Sequence, residues 1–253
     1  MKAEEIIRSV IPARTGIQAV WHGLSIVSLI FFCLYFLSSP ILVRAQPSSI
    51  QDAVQPQFTP PSPGTYTLPT IDTVTDHLLL NTAGGKVHLR NLTQGKVAVL
   101  SFMYTSCADV GGCPLAAAVL QQIDRRLSER PALAKRVTLL SVSFDPERDT
   151  PLHLAKTRDI LNPRTDWHFL TTSSQADLSP ILADFNQPVA KLSQENGDWS
   201  GLFRHVLKVY LLDANHNVRN IYSAGLFNAQ LVINDIETIL LETDKQAATA
   251  RQQ

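Results

Sequence analysis

The sequence predicts an α/β domain in which a mixed sheet is flanked by helices. Three observations carry this. Residues 97–104 (VAVLSFMY) and 137–144 (VTLLSVSF) are nearly continuous apolar runs, the pattern of strands covered on both faces. Between them, Leu115, Val119, Ile123 and Leu127 recur every four residues, with Arg125, Arg126, Glu129 and Arg130 elsewhere, as on an amphipathic helix. Further on, residues 206–212 and 218–222 flank the segment 213–217 (DANHN), which reads as a β-hairpin turn. Strands alternating with helices, then a hairpin, give layers of helix on a sheet with both parallel and antiparallel neighbours.

Taken in chain order, the first element is not part of that domain. Residues 23–43 (GLSIVSLIFFCLYFLSSPILV) carry no charge, and about 20 apolar residues suffice to span a bilayer. Lys2, Arg8 and Arg14 precede the stretch and favour a cytoplasmic N-terminus for residues 1–22. The expectation is an uncleaved transmembrane anchor at 23–43, because the stretch and its basic flank are both long for a signal. A signal peptide cleaved near Val43-Arg44-Ala45 is the alternative. Either way, the remainder of the chain is exported, on the periplasmic or intermembrane-space side of a membrane. A helix of a soluble core is disfavoured, since the stretch has no polar face.

The chain has 253 residues, 45% of them hydrophobic, enough for a packed domain with extra segments. Its 22 basic residues balance its 22 acidic ones. Four of the basic residues (Lys2, Arg8, Arg14, Arg44) and two of the acidic ones (Glu4, Glu5) fall within 1–45. The remainder therefore holds 18 basic and 20 acidic residues, a net charge of −2. That balance argues against binding nucleic acid by neutralising phosphates.

Residues 44–69 contain Pro47, Pro56, Pro60, Pro61, Pro63 and Pro69 among Gln, Ser and Thr, and read as a flexible tether. The folded domain is expected over 70–244. After the strand at 97–104 comes a helix at 114–130, with Pro114 suited to the first helical position. The strand at 137–144 is followed by a helix at 151–161, which Asp149 or Thr150 can cap. A short strand at 167–170 and a helix at 176–185 precede the hairpin. An amphipathic helix at 229–243 closes the domain, and residues 245–253 read as a disordered tail. This order is that of a thioredoxin-like fold.

Cys33 lies in the apolar stretch, so the exported domain keeps two cysteines, Cys107 and Cys113. Both sit in the segment YTSCADVGGCP, which joins the first buried strand to the first helix. Unpaired N–H groups and the positive end of the helix dipole stabilise a thiolate there. Gly111 and Gly112 let the loop curl, and five intervening residues leave slack for a disulfide or a shared metal. An even pair in an exported domain also fits a persistent, purely structural disulfide.

Three motifs then carry a resemblance. Tyr104-Thr105-x-Cys107 leads to Cys113-Pro114-Leu115; the run Asp145-Pro-Glu-Arg-Asp-Thr150 comes after Ser143-Phe144; and His205 stands five residues before Tyr210 in HVLKVYLLD. In this order they resemble the Sco/SenC family, membrane-anchored thioredoxin-like copper chaperones of cytochrome c oxidase assembly. The resemblance spans about residues 70–243 and includes the layout of one anchor and a tether. It implies a metallochaperone rather than an enzyme, with copper, as Cu(I) and also as Cu(II), held by Cys107, Cys113 and His205. It implies an exported copper protein as partner, a cytochrome c oxidase subunit foremost; a Cys107–Cys113 disulfide, which the even cysteine pair allows, would exclude copper and couple metal loading to redox state. Asp145 and Arg148 would lie near the metal site, in supporting roles. Where the family has Cys-x3-Cys, this chain has Cys-x5-Cys.

The ligand chemistry agrees. Two thiolates and an imidazole are a soft, low-coordinate set that suits Cu(I) and tolerates Cu(II), while structural zinc takes four ligands and no fourth Cys or His is near in sequence. Binding requires reduced thiols and a neutral imidazole. The alternative function is a thioredoxin-like thiol–disulfide oxidoreductase, with Cys107 and Cys113 as redox pair. A peroxidase would need an Arg beside Cys107, and none flanks it. A membrane-tethered sensor has no recognisable output module. His77, His88, His153, His168 and His216 read as surface or edge residues, Phe102 and Tyr104 as core. Asn91-Leu92-Thr93 is a bare glycosylation sequon.

Overall fold

A computed structural model of the chain describes residues 58–252. The segment 23–43, expected from its sequence to be an anchor, lies outside them. Among the described residues no helix is long and apolar enough to cross a membrane.

The main sheet has six strands. In chain order they are β1 (Asp72–Thr73), β4 (Val97–Met103), β5 (Val137–Ser143), β6 (Trp167–Leu170), β9 (Val209–Leu212) and β10 (Asn217–Tyr222), and their spatial order is β1-β10-β9-β4-β5-β6. β4, β5 and β6 are parallel; β9 pairs antiparallel with β4, β10 antiparallel with β9, and β1 antiparallel with β10 at the edge. The mixed sheet and the α/β class expected from the sequence are both present.

Alternation along the central strands explains the two cores. Val97 and Val99 of β4 and Leu139 of β5 face one side. There they meet Leu115, Val119, Ile123 and Leu127 of helix α2 (Cys113–Ser128) and Val232, Ile236 and Ile239 of helix α6 (Ala229–Ala250). Ala98, Leu100 and Phe102, with Leu140 and Val142, face the other side. Helix α5 (Gln175–Asp184) covers that side through Leu178 and Ile181. Both faces are therefore apolar, as the unbroken runs required, and each fully buried aliphatic side chain contributes roughly 1.5–3 kcal/mol relative to exposure.

The helix at 151–161 is α4 (Pro151–Leu161). Thr150 caps it by accepting from the His153 N–H, so the cap falls to Thr150 and leaves Asp149 for another task. Helices α1 (Leu89–Thr93) and α3 (Pro131–Ala134) are short, and strands β2 (Leu78–Leu80) and β3 (Lys86–His88) pair as a small hairpin.

Four sequence expectations change. Residues 206–208 are not part of the hairpin strand. The chain instead forms a separate two-stranded sheet, β7 (Val189–Ser193) with β8 (Trp199–His205), before β9 begins. Helix α6 runs to Ala250, so residues 245–250 are helical, not a frayed tail. The end of the proline-rich stretch is docked on α6, not free. The Pro61 carbonyl accepts from Asn234 Nδ2 (2.7 Å), Gly64 N–H donates to Thr238 Oγ1 (3.0 Å), and the Tyr66 hydroxyl donates to the buried carboxylate of Asp235 (2.5 Å). Finally, His216 is no surface residue. It is buried, with its Nε2 2.6 Å from Thr93 Oγ1, because the turn is built by Asp213 Oδ1 accepting from Asn215 and Asn217 N–H, which directs residue 216 inward at φ +65°.

Candidate metal centre

The parallel register of β4 and β5 pairs Met103 with Ser143, so both strands end at one edge of the sheet. The loops leaving them are therefore neighbours, at the strand ends where open α/β sheets place reactive groups. The β4 loop carries Cys107 and leads to Cys113, the first residue of α2. The β5 loop carries Asp145, Arg148 and Asp149.

His205 arrives from elsewhere. It ends β8, where alternation puts Phe203 and His205 on one face. Phe203 is buried against Tyr104 (ring centroids 5.2 Å) and Phe144 (5.3 Å). The imidazole lies on the same two rings, 5.5 Å from Tyr104 and 5.3 Å from Phe144. Its Nδ1 faces the Phe203 carbonyl at 3.3 Å. Donation there leaves the Nε2 lone pair pointing at the sulfurs.

The Cys107 Sγ is 3.9 Å and the Cys113 Sγ 3.8 Å from His205 Nε2, and all three ligand atoms lie within 4.8 Å of one another. Metal–sulfur and metal–nitrogen bonds of about 2.0–2.3 Å hold ligand atoms nearly this far apart around a three-coordinate ion. Among the described residues this is the one group of three or more Cys, His, Asp or Glu so arranged. Both cysteines are free thiols. Cys113 is buried and Cys107 half-buried. Burial pushes the Cys113 thiol well above its ordinary range and outweighs the backbone hydrogen bonds that favour the thiolate. A soft cation between the sulfurs would reverse this, since coordination deprotonates a thiol outright.

Gly112 decides how closely the imidazole approaches. A methyl group on it would sit 3.3 Å from His205 Nε2. Beside the sulfurs opens an apolar cleft of about 350 Å³, lined among others by Met103, Pro114, Leu120, Ile160 and Trp167.

Asp145 and Arg148, expected from the sequence near the metal site, link the β5 loop to the β7–β8 hairpin. Asp145 is buried and paired with Arg148 Nε. Arg148 then extends to the β7–β8 hairpin, donating through Nη1 to the Gly201 carbonyl (2.8 Å) and covering the Trp199 ring at 4.5 Å. Sequence reasoning missed Asp149, Phe203 and Trp199. Asp149 is fully buried and accepts from Thr105 N–H (3.0 Å), the Thr105 hydroxyl and Ser143 Oγ (2.6 Å), tying the cysteine loop to β5. Its place one residue before a capping Thr was the available signal. For Phe203 and Trp199 there was none beyond an aromatic pair four residues apart.

A search of curated proteins returns no match. Among solved structures, the chain is similar to Arabidopsis thaliana ScoI with copper bound. Identity is 23% and the TM-score 0.56, over 67% of this chain and 99% of that one. It is also similar to a SCO1/SenC family lipoprotein from Bacillus anthracis (26% identity, TM-score 0.56, 66% of this chain and 95% of that one). A third similar structure is BsSco, a member of the Sco family of cytochrome c oxidase assembly proteins in which a disulfide switch was identified. There the identity is 24% and the TM-score 0.50, over 73% of this chain and 98% of that one. The SCO1/SenC family profile matches residues 67–241, which takes in both sheet cores, the cysteine loop and His205, and the chain therefore belongs to the SCO1/SenC family.

Proposed function

We propose that the domain is a membrane-tethered copper chaperone. It holds copper through Cys107, Cys113 and His205 and delivers it to an exported copper protein, a cytochrome c oxidase subunit foremost. The observation that carries this is the convergence of two free thiols and one imidazole nitrogen within 4.8 Å. Three soft ligands at that spacing suit Cu(I) and leave it exchangeable, because a partner's thiolate or imidazole can add before a resident ligand leaves. Copper bound to the Arabidopsis relative and oxidase assembly as the role of the BsSco family support the same reading. In this reading the uncharged segment 23–43 is the anchor, residues 44–69 are the tether, and the basic residues before the anchor put the domain on the exported face.

The test is Cu(I) binding by the reduced full-length protein, in competition with a chelator of known affinity. Wild type should take one tight copper, and Cys107→Ser, Cys113→Ser and His205→Ala should each weaken it. Binding indifferent to His205 would sink the chaperone reading.

A second reading, thiol–disulfide exchange, is favoured by the unequal burial of the two thiols. Half-buried Cys107 would attack a partner's disulfide and buried Cys113 would resolve the mixed disulfide. Reduction of a copper protein's cysteines by wild type, unchanged in His205→Ala, would support it.

A further inference from the structure

The loop between the two cysteines contains a carboxylate that the Cys107–Cys113–His205 site does not use. Asp109 shapes the loop: its Oδ1 accepts from Gly111 N–H (3.0 Å) and its backbone carbonyl from Gly112 N–H (2.9 Å). Its second oxygen, Oδ2, takes no hydrogen bond among the described residues. That oxygen faces the space over Gly112. A methyl group there would lie 3.3 Å from Asp109 Oδ2 and 3.3 Å from His205 Nε2. Carboxylate and imidazole thus look into one gap, which is open only because residue 112 has no side chain.

Charge and hardness decide which ion would use that oxygen. Two thiolates and a neutral imidazole around Cu(I) already carry a net −1. A hard fourth oxygen would raise this to −2 around a soft ion content with three ligands. A divalent ion in the same set is neutral, seeks a fourth ligand and accepts oxygen. We propose that Asp109 is an oxygen ligand recruited only by a divalent ion, so that the lengthened cysteine loop discriminates the charge state of the bound metal. This rests on the reading of Cys107, Cys113 and His205 as metal ligands. Asp109 stands outside the three ligand atoms that lie within 4.8 Å of one another, so its exposed side chain has to swing inward over Gly112 to reach the ion.

The experiment compares wild type with Asp109→Asn in the reduced full-length protein, using Co(II) as the divalent probe and Cu(I) as the monovalent one. Asn keeps an oxygen for the Gly111 N–H, so the loop turn survives; thermal unfolding of both proteins checks this. The expected result is a Co(II) affinity lower by about tenfold, with altered Co(II) d–d bands and Cu(I) affinity unchanged within about twofold. Weaker Co(II) binding with unaltered bands would mean that Asp109 acts by charge at a distance, and would overturn the ligand role. Equal losses for Co(II) and Cu(I) would make it a loop-shaping residue and overturn the discrimination. If wild type bound neither ion, the Cys107–Cys113–His205 reading would itself have failed, and this inference with it.

Discussion

The fully buried carboxylate of Asp149 grips Thr105 twice, through its backbone N–H at 3.0 Å and through its hydroxyl. Two loops that leave neighbouring parallel strands are thereby locked two residues before Cys107. Thr105→Val keeps the backbone contact and removes the hydroxyl. We expect a stability loss of about 1 kcal/mol and a several-fold fall in Cu(I) affinity. Denaturant unfolding and chelator competition measure the two, and an unchanged copper affinity would show that the loop holds its shape without this contact.

Arg148 performs the matching task for the other half of the site. It joins buried Asp145 to the hairpin that presents His205, through the Gly201 carbonyl and the Trp199 ring. Lys has no planar fork and cannot make these contacts together. Arg148→Lys should speed amide hydrogen exchange in residues 199–205 and weaken Cu(I) binding, while exchange in β4 and β5 stays as in wild type. Trp199→Ala should act in the same direction, since a cation over an aromatic face contributes about 0.5–2 kcal/mol. Unaltered exchange in the hairpin would show that Phe203 packing alone fixes it.

Adjacent glycines give a clean contrast. A methyl on Gly112 meets His205 Nε2 and two Asp109 oxygens at 3.3 Å, whereas one on Gly111 meets only Asp109 Oδ1 at 3.6 Å, an ordinary contact. Gly112→Ala should push the imidazole from the sulfurs and cut copper affinity about tenfold or more, with melting temperature little changed. Gly111→Ala should leave copper affinity near wild type. Similar affinities for the two variants would refute the steric argument.

His216 links stability to pH. Burial, reinforced by the Arg90 charge, lowers its pKa below the usual 6.5. The unfolded state therefore takes up a proton at higher pH than the folded state, and stability contributed by neutral His216 is lost as pH falls below about 6.5. Asn tolerates the left-handed backbone at φ +65° and does not titrate. His216→Asn should be less stable at pH 7 by about 1 kcal/mol, having lost the Thr93 contact. Its unfolding free energy should drop less than wild type's between pH 7 and 5.5. Parallel pH curves for the two proteins would exclude His216 as the source.

Local pattern was enough for much of this protein. Unbroken apolar runs fixed β4 and β5 as strands buried on both faces, and four-residue periodicity fixed α2. Cys107 and Cys113 were legible as a pair because the strand-to-helix junction carrying them is continuous in sequence. His205 was legible only through its motif, since the main chain reaches the sulfurs by way of a hairpin that no apolar pattern announces. In β7 and β8 only Phe203 is buried; the two strands stand outside the main sheet and owe their place to Phe203, Trp199 and Arg148. Asp149 read as a possible helix cap because local rules see only the next turn; its partner Thr105 lies across two parallel strands. The inward turn of His216, the docking of residues 61–66 on α6 and the gap between Asp109 and His205 likewise depend on which distant surfaces meet. Periodicity and turn chemistry act over a few residues and are written into the sequence directly. Contacts between loops far apart in the chain exist only after the sheet register has brought the strand ends together.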